Sequence, residues 1–243
     1  MPQNKLISNQ SGNAFLIVML GVVLFATLAF TVSRSMRSDT TTRLTEREIS
    51  LAATEILDYA QRMSRAVDRL RRRGVSESDI SFDQDFVAGY AHGQPDEHKV
   101  FNSAGGNIRY IDPTLWVDQS IPDSGLGVCP KNEWVFSGNN TVPDVGQNCG
   151  SCDELILALH HVDERICVEI NNRLGITNPG GEPPPESSGT PPGTLHTGKF
   201  TGNFPTAVAG IDNGAGAEET ACLLVSCGAS GEYTIFYHTL IAR

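Results

Sequence analysis

Cys149-Gly150-Ser151-Cys152 is the stretch of this chain whose residue types and spacing come nearest to known chemistry. Two thiols separated by two residues form a redox dithiol when a helix N-terminus lowers the pKa of one of them. The same cysteines, with His160 and His161, offer a zinc ligand set. Adjacent histidines on a helix point about 100° apart, however, and so do not both serve one tetrahedral ion. A thioredoxin-type dithiol follows a strand in a βαβ unit, and no such pattern surrounds this one. The reading that remains for Cys129, Cys149, Cys152, Cys167, Cys222 and Cys227 is a disulfide framework. Their even number and their confinement to a Gly/Pro-rich region support it, and it places that region in an oxidising compartment.

Other candidates are thinner. Ile211 to Glu219 holds Asp212, Asn213, Glu218 and Glu219, whose oxygens are a candidate Ca²⁺ shell. The acids lack the spacing of an EF-hand loop, so an ordinary Asx-Gly turn is the simpler reading and no cofactor is expected. The glycines at 210 and 214–216 form no phosphate loop, since no Gly-Lys-Ser/Thr follows. There is no Gly-x-Ser-x-Gly, no His-Glu-x-x-His and no evident Ser/His/Asp set. The six histidines read as surface or core residues, and the chain is not expected to be an enzyme.

These residues must be held by a scaffold of 243 residues, of which 40% are apolar and 19% charged, with 24 Gly and 13 Pro. That is too apolar for a disordered chain and rich in turns. The net charge of −10 argues against a nucleic-acid partner. Charge is uneven along the chain: 11 Lys and Arg face 6 Asp and Glu up to Arg73, and 7 face 22 beyond it. A basic N-terminal part thus precedes an acidic body.

Ala14 to Val32 contains 19 residues with no charge and no proline. About 20 apolar residues span a bilayer as helix, whereas a signal-peptide core is shorter and is followed by a small-x-small cleavage site. The run therefore reads as a single membrane crossing. Arg34, Arg37, Arg43 and Arg47 on its C-terminal flank favour a cytoplasmic body under the positive-inside rule, and the cysteines favour an external one. An external body is preferred on the strength of a resemblance described below, which implies an inner-membrane, single-pass protein with a periplasmic or extracellular body.

The helix is expected to continue past the membrane. Prolines are absent between Pro2 and Pro95, and glycines between Gly21 and Gly74. Ile49, Ala52, Ala53, Ile56, Ala60, Met63, Val67 and Leu70 recur at steps of three and four, which marks one face of a helix. Arg71, Arg72 and Arg73 followed by Gly74 are the ending of one, with cations at the negative end of the dipole and then a residue at ease in left-handed backbone.

This beginning resembles a type IV pilin-like precursor, most closely the minor pilins and pseudopilins that open with Gly-x-Ala and an apolar run. Here that start is Gln10-Ser11-Gly12-Asn13-Ala14-Phe15-Leu16-Ile17-Val18, and the Ala/Glu-bearing continuation is Leu51-Ala52-Ala53-Thr54-Glu55-Ile56-Leu57. The resemblance covers about 60 residues and implies several things. A prepilin peptidase would cut between Gly12 and Asn13. The partners would be other pilin-like subunits, the inner-membrane assembly machinery and the lipid bilayer. The assembly would be a type IV pilus or a type II secretion pseudopilus. Major pilins carry a glutamate where this chain has Ile17, and subunits lacking it are typically placed at the filament tip or in initiation. The alternatives are a plain membrane-anchored periplasmic or surface binding protein and, from the enzyme class, a tethered thiol redox protein.

The expected organisation is a leader at 1–12, an apolar half-helix at 13–33, an amphipathic half-helix at 34–74 and a pilin-like α+β domain at 75–243. Within the domain we expect a short helix in 76–93 and a hairpin over 99–111. A strand at 133–136 is ended by Ser137-Gly138-Asn139-Asn140. A second helix opens with a Ser151/Glu154 capping box and runs to Gly175, and a coreless Pro/Gly-rich loop occupies 178–194. Strands at 221–225 and 233–241 follow, the last apolar on both faces and therefore central. A helix containing both Cys152 and Cys167 keeps them about 22 Å apart, too far for a disulfide. Cys222 can meet Cys227 across a turn, leaving Cys167 for Cys129 or Cys149.

Overall fold

The computed structural model describes residues 18–19, 21–22, 45–83, 93–121, 129–142, 145–146, 153–186, 209–210, 218–226 and 231–242. The chain divides into two compact units, Met1–Thr45 and Glu46–Arg243. In the first unit Val18, Met19, Gly21 and Val22 are helical and exposed; the rest of the Ala14–Val32 run and the Gly12–Asn13 junction lie outside the described residues. Among the described residues no helix is long and apolar enough to cross a membrane.

The second unit is α+β, with two helices, a largely antiparallel sheet and a disulfide. Helix α1 spans Glu46–Arg72. Its expected stripe is its buried face: Ala52, Ala53, Ile56, Ala60, Met63, Val67 and Leu70 are buried, joined by Tyr59 and Ala66, while Ile49 is half-buried. Gly74, at φ +89°, ends it as anticipated. Gly74 N–H donates to Arg71 O and Val75 N–H to Leu70 O, the paired bonds of a Schellman ending.

The sheet has the order β3-β1-β2-β5-β4, with β1 at Trp134–Thr141, β2 at Glu154–His160, β3 at Ala209–Gly210, β4 at Thr220–Ser226 and β5 at Glu232–Ile241. The pairs β1–β2, β2–β5 and β4–β5 are antiparallel, and β3 adds a short parallel edge to β1. β5 is central, as its two apolar faces required. One face of the sheet carries α1 on an aromatic layer: Tyr59 meets Trp134 at 4.9 Å between ring centroids, and Phe82 stacks on Phe136 at 4.1 Å. The other face is a second apolar cluster that includes Val135, Ile156, Leu223, Ile235 and Tyr237.

Several expectations fail. The helix expected from Ser151 to Leu174 is two elements. Every residue of β2 is buried, so Glu-Leu-Ile-Leu-Ala-Leu-His has no polar face to give a helix. Such a run suits a strand covered on both sides. Glu154, expected in a capping box, instead accepts a hydrogen bond from Val142 N–H at 2.9 Å. His161 turns the chain in left-handed backbone at φ +59°, and Asp163 caps α2, Glu164–Leu174, by accepting from Arg165 N–H. Gly175 closes α2 at φ +79°, as expected.

The hairpin at 99–111 is a compact turn without strands. Gly106 N–H returns to Lys99 O, and a side chain at Gly106 would collide with the backbone of Val100. Arg69 of α1 and Arg73, just past its end, hold it. Arg69 donates to Gly106 O at 2.9 Å, and Arg73 donates to Ala104 O and Gly105 O at 3.2 Å. Residues 77–79 form one 3₁₀ turn, and 84–92 lie outside the described residues. β1 does not stop at Phe136 but continues through a bulge between Ser137 and Asn140, where Asn140 Nδ2 bonds Ser137 Oγ. In the loop from 178, Pro183 and Pro184 are buried, because this segment lies along the outer edge of β4. Leu224 N–H donates to Pro184 O, and Glu186 N–H to Leu224 O. Residues 187–194 lie outside the described set.

Candidate functional site

A cleft of about 420 Å³ opens where the middle of α1 crosses the end of the sheet formed by β4 and β5. Gln61, Ser64, Arg65 and Asp68 line it from α1, Glu219 from the approach to β4, and His238, Thr239 and Leu240 from β5. Each wall follows from local sequence. Ser64 flanks the buried stripe of α1 and so faces the sheet. His238 occupies the helix-facing phase of β5, opposite Thr220 in the β4–β5 register.

His238 is the centre of the cleft. Its Nε2 lies 2.6 Å from Ser64 Oγ and its Nδ1 lies 2.5 Å from Thr220 Oγ1. A neutral imidazole has one donor and one acceptor, so the two hydroxyls satisfy both nitrogens. Burial pushes its pKa down to about 4, so the ring is neutral at ordinary pH. A serine beside a histidine that is oriented by a third group is the arrangement of an activated nucleophile. Here the third group is a hydroxyl, which cannot neutralise an imidazolium as a carboxylate does. Ser64 also lies in mid-helix, where the backbone N–H groups are consumed by α1 and cannot serve an oxyanion. The geometry is that of a neutral tie between helix and sheet.

The residues singled out by sequence are dispersed. Cys167 and Cys222 form a disulfide with Cα atoms 5.3 Å apart. This overturns both the Cys222–Cys227 pairing and the assignment of Cys167 to Cys129 or Cys149. With β2 separating Cys152 from α2, the single-helix spacing behind those assignments is gone. Cys222 sits inside β4 facing the helical layer, directly under α2. Cys129 is also disulfide-bonded, and its partner lies outside the described residues. Cys149, Cys152 and Cys227 are outside as well, and so is the dithiol reading.

His160 and His161 are buried around Tyr233, not along a helix. His160 Nδ1 shares a hydrogen bond with Tyr233 Oη at 3.0 Å, and the ring of His161 stacks on Tyr233 at 4.2 Å. Tyr233 Oη in turn donates to Cys129 Sγ at 3.0 Å. Burial raises the Tyr233 pKa, which keeps the phenol protonated as a donor. Among the described residues no three His, Cys, Asp or Glu side chains converge as metal ligands. Of the calcium candidates, Asp212 and Asn213 are outside the described residues. Glu218 and Glu219 are exposed, and their backbone carbonyls accept from Tyr237 Oη and Thr239 N–H.

Sequence reasoning missed Asn171, which closes the edge of β4. Its Nδ2 donates to Cys222 O at 2.8 Å and its Oδ1 accepts from Cys222 N–H at 2.9 Å. A buried amide one turn from a half-cystine is the signal in the sequence. It becomes readable only once α2 is known to lie on β4. No protein-family model, curated protein or solved structure matches this chain.

Proposed function

We propose that this chain is a minor pilin- or pseudopilin-like structural subunit of a type IV pilus or type II secretion pseudopilus, acting at the filament tip or in initiation. What supports the reading most is the pairing of two features. The apolar run Ala14–Val32 stands directly after Gly12-Asn13, and the helix that begins at Glu46 has one continuous apolar stripe against an antiparallel sheet. In this reading the run anchors the subunit in the inner membrane and then enters the filament core. α1 carries the body, and the body, tightened by disulfide bonding, meets neighbouring subunits on the periplasmic or extracellular side. Its role is assembly, not catalysis.

Ile17 sets the position in the filament. A free N-terminal ammonium in an apolar core costs several kcal/mol unless a carboxylate pairs with it. The nearest acid of this chain, Asp39, lies about 33 Å along a continuous helix from Ile17. It therefore cannot offer that charge to a subunit added above it. Its own ammonium can still be met by a glutamate on a conventional neighbour.

The deciding experiment is mass spectrometry of the N-terminus of protein from a host with an active prepilin peptidase. The reading requires a mature chain starting at Asn13. An intact Met1 favours the plain membrane-anchored binding protein instead.

A further inference from the structure

The sheet ends at β4 on two groups that are not strands. In the middle of β4 the backbone groups pointing away from β5 belong to Cys222 and Leu224. Cys222 N–H donates to Asn171 Oδ1 at 2.9 Å, and Cys222 O accepts from Asn171 Nδ2 at 2.8 Å. Leu224 N–H donates to Pro184 O at 2.9 Å, and Leu224 O accepts from Glu186 N–H at 2.8 Å. We infer that the strap at 183–186 and the side-chain amide of Asn171 together form a stop that closes β4 to strand pairing with a second copy of this chain.

The edge is one that needs closing. β4 reads Thr-Ala-Cys-Leu-Leu-Val-Ser, with no charge, and Ala221, Cys222, Leu223 and Val225 are buried. Open N–H and C=O groups along such a strand are a template for another chain. A second copy is the natural occupant, because two identical edges pair antiparallel about a two-fold axis.

The prolines explain how the stop works. The strap runs parallel to β4, with Pro185 opposite Leu224. The two bonds to Leu224 come from the neighbours of Pro185, so Pro185 turns its own backbone nitrogen outward. Proline has no N–H there, and a further strand finds no donor. A strand continuing the same register would serve Cys222 O with the N–H of residue 184. Pro184 has none, and Asn171 Nδ2 takes that place. A primary amide carries a carbonyl acceptor beside an N–H donor, so it substitutes for one peptide group. Both parts of the stop are anchored. The Cys167–Cys222 disulfide keeps α2 on β4. Asn178, at the start of the loop, donates to Val168 O at 3.2 Å and accepts from Asn171 Nδ2 at 2.9 Å. Pro183 and Pro184 are buried, so the strap is packed as well as bonded.

The test is sedimentation equilibrium of the full chain in a non-ionic detergent. Amide hydrogen exchange at Leu224 reports whether the strap is seated. Pro183→Val/Pro185→Val restores N–H groups to the strap and leaves Pro184 and Asn171 untouched. It is expected to self-associate roughly tenfold more tightly than wild type while the Leu224 amide stays protected. Association equal to that of wild type overturns the stop. Tighter association with the Leu224 amide exposed overturns it too, since the strap has then left β4. Pro183 is buried, so if the double variant does not fold, Pro185→Val alone decides from its exposed position. Tighter association of that variant supports the stop, and unchanged association overturns it. None of these outcomes depends on where the mature chain begins, so they stand apart from the filament reading.

Discussion

The two helices lie on the same face of one sheet and are held there by different physics. α2 is short, at 11 residues, and is fastened at one point by strong, specific bonds: the Cys167–Cys222 disulfide and the two hydrogen bonds from Asn171 to the backbone of Cys222. α1 is 27 residues long and has no covalent tie among the described residues. It is held by a distributed apolar stripe, by arginine contacts at its end and by His238 in its middle. A distributed apolar contact gives most of the free energy but opens in parts, whereas a covalent staple opens only with the whole. The longer helix is thus the one able to respond to conditions.

The largest expected effect comes from attacking the stripe. Ile56 is fully buried, and Ile56→Asp places a carboxylate in the buried face of α1. A loss on the order of 5 kcal/mol is expected in urea denaturation of the purified chain. If the midpoint does not move, α1 is not held by its stripe and the contrast with α2 collapses.

Removing the staple comes next. The disulfide closes a loop with a sequence separation of 55, and the chain-entropy relation assigns such a loop about 4 kcal/mol. The Cys167→Ala/Cys222→Ala variant is expected to lose that amount. It is also expected to bring hydrogen-exchange protection of α2 down toward that of α1. Protection in α2 that survives the change would mean that Asn171 alone seats it.

Asn171→Ala isolates that second bond. It leaves the N–H and C=O of Cys222 unpaired in a buried place, at a cost of about 2–4 kcal/mol. Asn171→Asp keeps the acceptor for Cys222 N–H and, with its carboxyl protonated, one O–H donor for Cys222 O, so at such pH values it should fall between Asn171→Ala and wild type. A denaturation series of the three proteins checks the order.

The smallest effect lies where the helices touch. Arg173 of α2 reaches Ser50 and Thr54 of α1 from a partly exposed position, and contacts of that kind contribute about 0.5–1 kcal/mol. Arg173→Ala should shift stability by no more than that and leave the hydrogen-exchange protection of the middle of α1 unchanged. A larger loss would show that α2 steadies α1 and that the two are not independent.

How far the sequence could be read depended on the range of the forces involved. The stripe of α1 and both helix endings were legible because period and capping are local: Gly74 and Gly175 follow the last apolar residues of their helices, and both adopt positive φ. The central position of β5 was legible from its two apolar faces. β2 was not. Leu155 and Leu159 satisfy a helical spacing as well as a strand's alternation, and only burial on both sides separated the two. The compact turn at 99–111 was misread for a related reason: Val100 N–H bonds Ser81 O, and the ring of Phe101 meets Phe136 as well as Tyr110, so its arms are held by partners distant in the chain.

By itself the sequence determined where the chain turns helical, where it must stop, and that a body rich in cysteine follows a basic, apolar beginning. These are properties of neighbours in the chain, set by sterics and by the spacing of apolar side chains. Tertiary structure alone decided which cysteine meets Cys222, and that Asn171 caps an edge strand. It alone decided that Ser64 and His238, 174 residues apart, share a proton. A disulfide or a side-chain hydrogen bond acts only within a few ångströms. Whether two distant residues come that close depends on how the helices settle on the sheet, which no local rule contains.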